Sequence, residues 1–114
     1  MKDFQVNDNQ VIFSTGEIVK FEFSIKQNIM YNNMIIVLLF IPSEIVYNRN
    51  VFALSETGQI IWQIEKLEQS YFQGHCPFNE VIVDGLNLII FNWCDHRFNI
   101  NPQNGEVISS VSVK

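Results

Sequence analysis

A strand–turn–strand phrase recurs along this chain and restricts its fold more than any other feature. The clearest copy is Asn50-Val51-Phe52-Ala53-Leu54-Ser55-Glu56-Thr57-Gly58-Gln59-Ile60-Ile61-Trp62. A second runs from His96 through Asn101-Pro102-Gln103-Asn104-Gly105 to Ile108, and Ser14-Thr15-Gly16-Glu17-Ile18-Val19 is a fainter third. Each copy sets a polar turn ending in glycine ahead of an apolar run. Glycine reaches positive φ without steric cost, so it suits the tight turn of a hairpin. The expectation is an all-β chain: an antiparallel meander of hairpins forming a twisted open sheet or a small sandwich.

The rest of the pattern agrees. Val19, Phe21, Phe23 and Ile25 alternate with Lys20, Glu22, Ser24 and Lys26, the period of a strand with one wet face. Met34 to Phe40 is continuously apolar and reads as a strand covered on both faces. Val51–Leu54 and Ile60–Ile64 flank the Glu56-Thr57-Gly58 turn. Val81–Val83 and Leu86–Phe91 flank Asp84-Gly85, a two-residue hairpin signal. Gln27–Asn33, Pro42–Arg49 and Gln69–Asn79 read as loops, being rich in Asn, Gly, Pro and Ser. Helical periodicity is weak throughout. A chain of 114 residues reads as one domain, 1–114.

The phrase resembles the blade repeat of the pyrroloquinoline-quinone-type β-propellers, Ala-x-Asp-x-x-Thr-Gly-x-x-x-Trp. Thr57-Gly58-Gln59-Ile60-Ile61-Trp62 matches its second half. Ala53 matches its start with a turn one residue shorter, and Ser109 stands at the Trp position of the second copy. The turn glycines recur 42 and 47 positions apart, near the roughly 40–50 residues of a blade. The resemblance implies blade-like units in which Trp62 packs flat on a neighbouring strand. Propellers close with about four to eight blades, and the strand signals here suffice for about two. The quinone site of those enzymes needs the whole ring, so no cofactor and no dehydrogenase activity are expected. Either the sheet stays open, or self-association completes a ring.

The net charge is −5 and the pI about 4.8. An acidic surface repels phosphate backbones and attracts basic proteins, so the expected partner is a basic protein and not nucleic acid. Met1-Lys2-Asp3-Phe4-Gln5 lacks the apolar run of a signal peptide. The longest apolar run, Met34 to Ile41, has eight residues, against about 20 for a membrane helix. The expectation is a cytoplasmic protein without membrane contact. In that compartment Cys76 and Cys94 read first as free thiols, with a mutual bridge second.

His75-Cys76 and Cys94-Asp95-His96 hold every His and Cys of the chain. Two Cys and two His match a tetrahedral zinc set in number, but familiar patterns separate paired ligands by two or more residues. Cys94 with His75, or Cys76 with His96, matches a thiol nucleophile and base in kind, yet no oxyanion loop accompanies them. No metal and no enzyme activity are expected. Glu44, Glu56, Glu65, Glu68 and Glu80 outnumber Arg49 and Lys66 in a stretch that also holds Tyr47, Trp62, Tyr71 and Phe72. Carboxylates beside aromatics suit contact with a basic protein. Asn92-Trp93-Cys94-Asp95-His96-Arg97 is a second such surface, read as an exposed turn.

The expectation is therefore a non-catalytic protein-binding domain. In size, charge and lack of catalytic groups it is similar to small bacterial immunity proteins. These neutralise a cognate toxin, such as the nuclease of a contact-dependent growth inhibition system. Glu65, Glu68, Tyr71 and Asp95 are the expected partner-binding residues. The alternative is a homo-oligomeric, propeller-like scaffold.

Overall fold

A computed structural model describes residues 4–66 and 76–112. The described chain is all-β: eleven strands, every pairing antiparallel, and no helix. The strands form three open sheets, each a meander in chain order. The first holds β1 (Phe4–Asn7), β2 (Gln10–Phe13) and β3 (Ile18–Lys20). The second holds β4 (Ile25–Tyr31), β5 (Met34–Leu39), β6 (Val51–Leu54) and β7 (Ile60–Gln63). The third holds β8 (Phe78–Asp84), β9 (Asn87–Asn92), β10 (His96–Ile100) and β11 (Val107–Ser112).

The sheets stack as layers, with the second in the middle. Successive side chains of a strand point to opposite faces, and β5 uses both. Ile35, Val37 and Leu39 join Val11, Phe13 and Phe21 in one core. Ile36 and Leu38 join Phe78, Leu88, Ile90 and Phe98 in the other. That double burial is why β5 is apolar without interruption.

The recurring turns fix how the layers meet. Gly16, Gly58 and Gly105 all have positive φ. Gly58 lies under Phe13 and Glu17 of the first sheet: a Cβ there would stand 3.2 Å from the Phe13 ring. Gly105 lies under Trp62 of the second sheet, where a Cβ would come within 2.6 Å of the indole. The Trp62 indole N–H donates to the Pro102 carbonyl at 2.7 Å. Trp62 thus docks on the turn of the next sheet, not on a strand.

Side-chain amides stitch the layer junctions. Asn50, 0 % exposed, donates from Nδ2 to the carbonyls of Leu39 (2.9 Å) and Phe78 (2.8 Å). Its Oδ1 accepts the Phe78 N–H at 2.9 Å. Gln27 does the same for Val81, donating to its carbonyl at 2.7 Å and accepting its N–H at 3.0 Å. At the first junction Asn9 Nδ2 donates to the Phe21 carbonyl, 2.7 Å, and the Phe21 N–H returns a bond to the Asn9 carbonyl, 2.8 Å.

Four sequence expectations are corrected. Residues 19–26 are not one strand: Phe21 to Ser24 is the crossover between the first two sheets, and its apolar alternation comes from Phe21 and Phe23 packing into the core. Residues 27–33 are largely strand, with only Asn32-Asn33 in the turn. Three sheets form although the strand signals suffice for about two units, because β1 and β2 carry short, weak patterns. The β8–β9 turn is Gly85-Leu86, one residue later than read, with Asp84 paired to Asn87.

Two outcomes test this account. Asn50→Ala strands the Phe78 N–H and two carbonyls and opens a void, so unfolding free energy in urea falls by about 3 kcal/mol. Gly16→Ala and Gly105→Ala both incur the positive-φ penalty, about 1–2 kcal/mol. Only Gly105→Ala also overlaps Trp62, so it destabilises by about 1–3 kcal/mol more than Gly16→Ala in the same titration.

Candidate interaction surface

Cross-strand partners share a face, so the ladder of the third sheet sorts its side chains. Val81, Ile90 and Phe98 form one row, and Leu88 and Ile100 belong to another. Both rows are buried against the second sheet. The intervening rows face away from it. One is Glu80, Phe91, Arg97 and Val111; the other is Ile82, Ile89, Asn99 and Ser109. Ile108 is the extra residue of a bulge in β11.

Ile89, in the middle of this outer face, is only 6 % exposed, whereas the margins of the face are open. Val111 is 58 % and Ile108 66 % exposed, well above what isolated β-branched residues of a covered strand would show. Asn99 donates to Ser109 Oγ at 3.2 Å. Its Oδ1 is buried and has no partner among the described residues. Buried acceptors are normally satisfied, and this one is closed off from solvent. Glu80 and Asp84 lie on the face, and Asp95 and Glu106 precede β10 and β11; all four are exposed, against Arg97 as the cation of the face. The first sheet's outer rows are more polar, with Gln5, Asn7, Gln10 and Lys20 beside Ile12 and Ile18.

The residues singled out from sequence are not gathered at one place. Glu65 is half-buried, and its Oε1 accepts the Val107 N–H. Its own N–H donates to the Gly105 carbonyl, 3.1 Å. Glu65 therefore ties β7 to the start of β11. Asp95 sits in the β9–β10 turn with φ of 62°, at the other end of β10. Glu68 and Tyr71 lie outside the described residues, as does His75. Tyr47 packs on Phe23 with ring centroids 5.3 Å apart and accepts a bond from Gln63. Burial raises its phenol pKa above the usual value, with the Gln63 hydrogen bond opposing.

The reading of free thiols is corrected: Cys76 and Cys94 form a disulfide, with Cα atoms 5.7 Å apart. The bond spans the open end of the β8–β9 hairpin, next beyond the Phe78–Asn92 pair. In this state neither sulfur serves as a metal ligand or a nucleophile. The turn beyond it is firmly held. Asn92 Oδ1 accepts the N–H groups of Cys94 and His96, each at 3.0 Å. The Trp93 N–H donates to the Pro77 carbonyl at 3.1 Å. No helix among the described residues is long and apolar enough to cross a membrane.

The chain belongs to the DUF7957 family, a domain of unknown function, which it matches over residues 1–111. No curated protein matches it.

The disulfide links residues 18 apart in sequence, which corresponds to about 3 kcal/mol of stabilisation. Dithiothreitol lowers the urea midpoint of the native chain accordingly. It leaves that of the Cys76→Ser, Cys94→Ser double variant unchanged.

Proposed function

We propose that this chain is a non-catalytic protein-binding domain that engages a basic protein through the outer face of its third sheet. The observation that carries the reading is that face itself. Around a buried Ile89, its apolar residues Ile82, Phe91 and Val111 are exposed or half-exposed, and its exposed charges are mostly carboxylates. Exposed apolar centres with polar rims are the usual anatomy of protein contact surfaces. The net charge of −5 favours a cationic partner and steers its approach. A toxin domain with a basic substrate-binding surface is the partner class that fits best. Neutralisation would be occlusion: the face covers the toxin's substrate channel and no bond is made or broken. Of the residues proposed from sequence, Asp95 remains a contact candidate at the end of this face, while Glu65 acts within the fold.

A second reading has its own observation. Gly58 and Gly105 each lie under a side chain of the preceding sheet, whereas among the described residues nothing stands within 4 Å of a Cβ at Gly16. The Gly16 turn is thus an unfilled copy of a docking turn. In a homo-oligomer the third sheet of one copy would stack on the first sheet of the next, head to tail. Such heterologous contacts generate rings or filaments. The repeated turns and the docking of Trp62 support the propeller-like form of this reading.

The test is native mass spectrometry of the chain expressed with the neighbouring genes of its host, beside the Val111→Arg and Ile82→Arg variants. The expected result is a one-to-one complex with a basic protein that both variants lose, with an on-rate that falls as salt rises. A fixed multiple of 13.3 kDa with nothing else bound overturns the inhibitor reading in favour of the oligomer.

A further inference from the structure

Where the second and third sheets meet, a groove of about 440 Å³ opens beside the layer junction. Its floor is buried and apolar: Leu39, Ile41 and Phe78. Its walls are Phe40, 52 % exposed, and Trp93, 59 % exposed. Two large aromatic side chains left in solvent on either side of a buried apolar floor are unusual for a surface with only a structural role.

The groove has one cation. Lys26 is the bulge residue of β4, standing between the pairs Ile25–Leu39 and Gln27–Leu38. A bulge re-aims its side chain out of the alternation of the strand, and here Lys26 turns to the groove. Its Nζ lies 5.5 Å from the centre of the Trp93 ring. No carboxylate pairs with Lys26 among the described residues. Ser43 lines the groove as well, and its hydroxyl makes a long 3.5 Å contact to Glu44. That carboxylate marks the Ser43 side as unfavourable for an anion and leaves Lys26 as the anion-binding end.

The groove is also preformed. Asn50 holds the carbonyls of both Leu39 and Phe78, so the two floor strands move together. The Trp93 backbone is held by its amide N–H on the Pro77 carbonyl and by the disulfide at Cys94. A ligand entering such a groove spends little on ordering it. Sites of this kind, mostly apolar with one charged group to orient the ligand, suit small amphiphiles.

We propose that this groove binds a small apolar monocarboxylate, an alkyl or aryl acid. Its body lies on Leu39, Ile41 and Phe78 between Phe40 and Trp93, and its carboxylate meets Lys26 Nζ. The site is separate from the outer face of the third sheet, so either assignment fails without the other.

Octanoate is the probe, and 1-octanol its neutral counterpart, each titrated below its aggregation limit. Trp93 reports binding because Trp62 is buried and hydrogen-bonded to Pro102. The expected result is a saturable blue shift of the tryptophan emission with octanoate, matched by calorimetry. Lys26→Gln weakens octanoate about fivefold, the scale of a solvent-exposed ion pair, and leaves 1-octanol unchanged. Ser43→Phe, at an exposed position, fills the groove and removes both signals. Absence of saturable binding overturns the proposal, as does 1-octanol binding as tightly as octanoate, or octanoate binding that Lys26→Gln leaves unchanged. A short peptide with a C-terminal leucine that binds more tightly than octanoate overturns the small-ligand assignment in favour of a peptide.

Discussion

Three stacked sheets hold together only if the chain can pass from one layer to the next without leaving its backbone groups unpaired. The Asn50 amide resolves this at the second junction. Phe78 opens β8 at the edge of the third sheet, and its N–H and carbonyl have a partner in Asn50 instead of in another strand. The cost of burying an amide is offset because all three of its bonds are made. Gln27 repeats the device one step along, at Val81. Together they occupy polar groups of an edge strand that would otherwise invite pairing with another chain. The Asn9–Phe21 exchange plays the equivalent part at the first junction.

The layer order then decides what the surface offers. The inner strands of the second sheet, β5 and β6, are buried on both faces, and its exposed apolar residues, Ile60 and Ile61, lie on the edge strand β7. The first sheet ends the stack on a polar side and the third on an apolar one. Both proposed readings of function draw on that asymmetry: a partner, or the first sheet of a second copy, would cover Val111 and Ile82.

Much of this was legible in the residues. The unbroken apolar run of β5 announced a strand covered on both sides, and Gly58 and Gly105 announced positive-φ turns. The position of Trp62 four residues beyond Gly58 marked it for packing, though its seat on the Gly105 turn needed the third sheet to be known. The alternation through Phe21 and Phe23 misled, because a crossover packed on a core repeats apolar residues much as a strand does. Glu65 misled in another way: composition counts a carboxylate as surface charge, whereas this one is spent on the Val107 N–H. The disulfide was within reach. Cys76 and Cys94 stand nine residues on either side of Gly85, so any hairpin turning near Gly85 brings them opposite each other. Register, not compartment, decides their pairing.

The β9–β10 turn borders the groove, the hairpin end and the outer face at once. Trp93, Cys94 and Asp95 are consecutive, yet they serve three places: a wall of the groove, the covalent closure of the hairpin, and the end of the outer face. Asn92 makes this compatible by binding the N–H groups on both sides of the turn. The same geometry explains why an exposed tryptophan is tolerated here. Its backbone is fixed from both sides, so the ring is presented to solvent at little further cost in order.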